Sequence, residues 1–182
     1  FNWLAYSISE TLGDKKWAKK LYKSAENKAE NSLEFNWLAY SISETLGDSK
    51  WMEKLYKKAA SKPGNVRELC DLADSIFETL GDKKWREEIY KKAVDEAEEY
   101  SDFNELADIM CEKLGDKQKA MALYKKAEGK AEDSSDLHSI AERLYENLGE
   151  KDWARTVYMK AAGNAKDCGD FYGLADSLLK NL

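Results

Sequence analysis

Apolar residues along this chain fall three and four apart, halt at a glycine, and resume in a second series. Phe1, Leu4, Ala5, Ile8 and Leu12 have the spacing of one helical face, which predicts a first helix, helix A. After Gly13-Asp14, the residues Trp17, Leu21, Tyr22, Ala25 and Ala29 give the apolar face of a second, helix B. The block Phe1 to Asp14 recurs unchanged as Phe35 to Asp48, and the pattern restarts at Leu69, Phe103, Leu137 and Phe171, a period of 34 residues. Repeats 1–34, 35–68, 69–102, 103–136 and 137–170 and a half-repeat 171–182 account for the chain. Such a period implies that each repeat buries its apolar face only against its neighbours. The prediction is an all-α, right-handed solenoid of antiparallel helix-turn-helix repeats, one domain over 1–182.

The punctuation supports this reading. Gly13, Gly47, Gly81, Gly115 and Gly149 close each helix A, where a left-handed residue ends a helix without a Cβ penalty. The acid that follows (Asp14, Asp48, Asp82, Asp116, Glu150) caps helix B, with Glu150 the poorest cap. Glu34, Glu68, Asp102, Asp136 and Asp170 stand near the starts of later helices A, where the aspartates serve as caps and all five suit the helix dipole. Recurring tyrosines (Tyr22, Tyr56, Tyr90, Tyr124, Tyr158) pack against recurring alanines (Ala25, Ala59, Ala93, Ala127, Ala161), with the hydroxyls free to stay wet. Ser61-Lys62-Pro63-Gly64-Asn65 holds the only proline and interrupts helix B of repeat 2, as a terminator, a hinge or a seam of duplication.

Composition narrows the function. Charged residues make up 35% of the chain and no apolar run approaches membrane-spanning length, so no membrane association is expected. The chain starts at Phe1 without an initiator Met and reads as a mature or trimmed fragment. A net charge of −6 argues against nucleic acid as a general partner. Cys70, Cys111 and Cys168 lack metal-type spacing and read as free thiols of a reducing, cytoplasmic setting.

Chemistry is sparse. His138 and Glu142 lie one helical turn apart, but a metal would need a third ligand, so a solvated pair is expected. Cys111 has no histidine in its own repeat to activate it and reads as a packing residue. With no glycine-rich phosphate loop and no Cys-x-x-Cys, the expectation is no enzyme, no cofactor and no metal.

Gly115-Asp116-Lys117-Gln118-Lys119-Ala120, followed by Tyr124-Lys125-Lys126-Ala127, resembles the second half of a tetratricopeptide repeat, and the period agrees. Leu106-Ala107 stands where that family has a Leu-Gly pair. The resemblance implies that helices A line a concave groove that holds peptide or helical segments. By position, that groove receives Asn2, Tyr6, Glu10, Asn36, Tyr40, Glu44, Asp74, Phe77 and Glu78, then Asn104, Asp108, Glu112, His138, Glu142, Tyr145, Glu146, Tyr172 and Asp176. The first twelve positions of the six repeats carry a summed charge of −8 and the remainder +2. An acidic trough with aromatics and Asn amides suits a Lys/Arg-rich segment. The alternative is a structural or engineered module without a physiological ligand, monomeric or weakly self-associating end to end through Phe1, Trp3 and Leu4 and the final Leu178, Leu179 and Leu182.

Overall fold

The computed structural model describes residues 2–181 and the side chains of residues 4–179. Phe1, Asn2, Trp3 and Leu182, which enter the sequence reading, lie outside the described side chains. The described chain is all-α, with helices α1 (Asn2–Leu12), α2 (Lys15–Glu26), α3 (Ser32–Thr45), α4 (Ser49–Ala60), α5 (Val66–Leu80) and α6 (Lys83–Glu96). They are followed by α7 (Tyr100–Glu112), α8 (Lys117–Lys130), α9 (Ser134–Arg143), α10 (Lys151–Asn164) and α11 (Cys168–Asn181). A π-helical turn, Leu144–Leu148, extends α9. Odd-numbered helices are helices A and even-numbered ones helices B. The chain forms two compact units, one ending at Glu96 and the other starting at Ala97.

In the N-terminal unit each helix A packs on its own helix B and on the next helix A: α1 on α2 and α3, α3 on α4 and α5, α5 on α6. The C-terminal unit repeats the scheme with α7 on α8 and α9, α9 on α10 and α11. The rings of all five helix B tyrosines are fully buried, and small alanines (Ala5, Ala39, Ala73, Ala107, Ala141) have no exposed surface. Tryptophans of helix B then join successive repeats. Trp51 meets the Tyr22 ring edge-on at 6.5 Å and donates its Nε1–H to Glu26 at 2.7 Å. Trp153 donates likewise to Glu128 at 2.9 Å. Burial pushes the Glu26 carboxyl up, but hydrogen bonds from Lys58, Trp51 and Lys54 outweigh it and hold the group below its ordinary value.

All five predicted turn glycines adopt a left-handed backbone, with φ between 63° and 72°. Asp14, Asp48, Asp82 and Asp116 each accept from a backbone N–H three residues on, while Glu150 makes no side-chain cap bond. The starts of helices A differ from expectation. The caps are Asn31, Asn65, Glu99 and Asp133, so the helices begin earlier than the 34-residue frame suggested. Glu34, Asp102 and Asp136 are third-position residues that reach back to backbone N–H groups before the helix. The only proline is unremarkable in effect: α4 ends at Ala60, and α2 ends at the equivalent Glu26 without a proline. Helix B of repeat 2 is therefore complete before Pro63, and Ala29 lies in a loop rather than on the face of α2.

The tyrosine hydroxyls are not left wet. Thr45 donates to the Tyr22 hydroxyl at 3.1 Å, and the Tyr56 and Thr79 hydroxyls bond at 2.9 Å. Tyr90 donates to Asp74, and Tyr124 to Asp108 at 2.5 Å.

Candidate binding surface

Within the C-terminal unit, second- and sixth-position side chains of one helix A meet seventh- and eleventh-position side chains of the next. Asp108 with Arg143 and Asn147, and His138 with Ser177, show this pairing. In the N-terminal unit the sixth-position residues Tyr6 and Tyr40 are about two-fifths exposed, and the tenth-position Glu10, Glu44 and Glu78 are exposed. Neighbouring helices run about 8–10 Å apart. Because α1, α3 and α5 pack in sequence, these glutamates form a ladder of carboxylates with the tyrosines beside it. None of the three enters an ion pair among the described residues.

Two acids expected in the groove serve the fold instead. Asp74 accepts the Tyr90 hydroxyl, which keeps it half-buried. Burial, and then the bond to Asp74, pushes the Tyr90 phenol up. Asp108 accepts from Tyr124 and from the Asn147 amide at 2.8 Å, and pairs with Arg143. Neither is a free carboxylate for a partner. The amides also move inward: Asn36 and Asn104 are buried, with Oδ1 atoms that meet no partner among the described residues. Asn104 spends its amide on Ser139 at 3.4 Å. Phe77 is half-buried under the Arg86 guanidinium, which stacks on the ring at 3.9 Å.

In the C-terminal unit Glu112, Ser139, Glu142, Arg143, Glu146 and Asn147 line a polar pocket of about 260 Å³. The π-helical turn lies on one wall and carries Asn147, whose carbonyl accepts the Cys111 thiol at 3.2 Å. His138 Nε2 lies 2.8 Å from the Ser177 hydroxyl and 3.3 Å from Glu142, and Ser177 donates to that same carboxylate at 2.8 Å. In a nucleophilic relay the carboxylate orients the opposite ring nitrogen. Here acid and hydroxyl share one nitrogen, so the cluster ties α9 to α11. Tyr145 is half-buried with the Lys151 ammonium over its ring at 5.4 Å; Tyr172 and Asp176 are exposed on α11. Among the described residues, no three His, Cys, Asp or Glu side chains are placed to hold a metal ion.

Sequence reasoning missed Arg143, Asn147, Ser139 and Ser177. For Arg143, Asn147 and Ser177 the available signal was register: apart from Ile109 the seventh position is polar (Ser, Ser, Ser, Arg, Ser), and the eleventh reads Thr, Thr, Thr, Lys, Asn, choices that suit a helix-to-helix seam; Ser139, at a third position, had no such signal.

These features define an all-α helical-repeat protein whose helices A carry an acidic surface. No family model and no curated protein matches the chain. No described helix is long and apolar enough to cross a membrane.

Proposed function

We propose that this chain is a tetratricopeptide-like protein-binding module whose helix A surface takes an extended, Lys/Arg-rich peptide segment. The observation that carries the reading is the ladder of Glu10, Glu44 and Glu78, exposed and unpaired beside Tyr6 and Tyr40. An extended peptide advances about 3.3 Å per residue, so one step between helices spans about three residues. Basic side chains at every third position therefore meet successive glutamates, and their apolar stems lie on the tyrosine rings. Exposed pairs are individually weak, about 0.2–1 kcal/mol, so affinity comes from the series and falls with added salt.

The test is titration of such a peptide, in fluorescence anisotropy, against the parent and a Glu10→Lys, Glu44→Lys, Glu78→Lys variant. The reversed ladder should lose roughly tenfold or more in affinity, the equivalent of about 1.4 kcal/mol. Asp74→Asn, which alters a carboxylate already engaged by Tyr90, should leave affinity unchanged. Equal affinity of parent and reversed variant would sink the proposal.

A further inference from the structure

The outward faces of helices B in the N-terminal unit are built almost entirely of one residue type. In α2, Ala18 and Tyr22 point inward and are fully buried. At about 100° per residue, Lys16, Lys20 and Lys23 stand on the opposite side, and all three are exposed. The corresponding positions are Lys50, Lys54 and Lys57 in α4 and Lys84, Glu88 and Lys91 in α6, again all exposed. The three helices lie side by side in this order. Trp51 of α4 meets Tyr22 of α2 edge-on, Trp85 of α6 meets Tyr56 of α4 at 6.3 Å, and Lys92 donates to the Ala60 carbonyl at 2.9 Å. Eight of the nine outward positions are therefore lysine, on one continuous surface.

Solvation does not require this. Exposed faces stay soluble with both signs interspersed, and lysines one turn apart on a helix repel each other. The C-terminal unit does without: its six equivalent positions, on α8 and α10, are all exposed and hold one lysine, Lys125. Nor is the charge consumed internally. Lys54 shares Glu26 with Lys58, and Lys57 pairs with Glu53, but the other six lysines enter no ion pair among the described residues. Counting Lys, Arg, Asp and Glu, α2, α4 and α6 carry net charges of +4, +3 and +1, whereas α1, α3 and α5 carry −1, −2 and −3.

We infer that this lysine surface docks an Asp/Glu-rich segment of a partner protein. Its composition selects among anions. The nine positions hold no arginine to grip a phosphate through two parallel bonds and no aromatic ring to stack on a base. They hold no apolar side chain to enter a bilayer. What they offer is a grid of compact point charges, about 4.5–6 Å apart along each helix and about 8–10 Å apart between helices. An extended segment crossing the helices meets a new row of lysines about every third residue, so carboxylates at that spacing are matched in turn. The surface shares no residue with the glutamate ladder, and either reading can fail without the other.

Fluorescence anisotropy of a labelled Glu-rich peptide, titrated with the full chain at low salt, tests this with two variants. Lys16→Glu, Lys50→Glu and Lys84→Glu together reverse one row of the surface. Lys117→Glu, Lys130→Glu and Lys166→Glu change the net charge equally, but on the C-terminal unit. All six side chains are exposed, so circular dichroism should report unchanged helix content. The parent should bind, the row-reversed variant should lose roughly tenfold or more, and the control should stay within about twofold of the parent. A loss of the same size in both variants, which would mark attraction to overall charge, overturns the inference. So does a parent that ignores the peptide while binding an RNA oligonucleotide or phosphatidylserine vesicles, or that binds none of the three.

Discussion

At the scale of single residues, the helix B tyrosines show how one ring position is solved in two ways. Where the sixth residue of helix A is Tyr (Tyr6, Tyr40), the buried hydroxyl bonds the Thr of the next helix A; where it is Asp (Asp74, Asp108), the hydroxyl turns back to that carboxylate. The choice explains why Asp74 and Asp108 cannot be counted with the glutamate ladder. Burial pushes the Tyr56 and Tyr124 phenols up to about 12, only partly offset by bonds with Thr79 and Asn147 respectively. An unfolded tyrosine titrates near 10. Because the folded values are higher, folding favours the neutral phenol. Its contribution is complete below about pH 10 and is lost as the pH rises through about 12. Phenolate absorbance and far-ultraviolet circular dichroism followed together should show Tyr56 and Tyr124 neutral as long as the helices are intact. The buried set should then ionise as helicity falls. Full ionisation near pH 10 with helicity unchanged contradicts this account.

At the scale of elements, the turn between helices A and B rests on a left-handed glycine and an acid cap, and both can be tested by substitution. Gly81→Ala places a Cβ at φ 69°, where the surrounding space is open, so only backbone strain opposes it. A loss of about 1 kcal/mol is expected. Glu150→Asp should do the reverse, since α10 is the helix B whose acid makes no cap bond, and a restored cap contributes about 0.5–2 kcal/mol. Urea midpoints moving in opposite directions would confirm both; a neutral Glu150→Asp would remove the capping argument. These turns were fully legible in the sequence because glycine and aspartate each have a single reason to stand there. Helix starts were not. The hydrophobic pattern opens at Phe35, one turn inside α3, and a polar Asn31-Ser32 ahead of it is equally compatible with loop or helix. The binding surface was legible only where a side chain points outward. Glu10, Glu44 and Glu78 are exposed as expected, but periodicity alone cannot show that Asn36 is buried or that Arg143 reaches Asp108.

At the scale of the whole molecule, stability in a repeat chain is close to a sum of hairpins and the interfaces between them. The helices therefore differ in protection according to how many neighbours cover them. α1 packs chiefly on α2 and α3, whereas α3 is held by α1, α2, α4 and α5; α11 rests on α9 and α10. Amide hydrogen exchange in dilute solution should accordingly be fastest in α1 and α11 and slowest in α3, α5 and α9, since local opening costs least where fewest contacts break. Exchange as slow in α1 as in α3 would contradict this account, because α3 is packed by four helices and α1 chiefly by two.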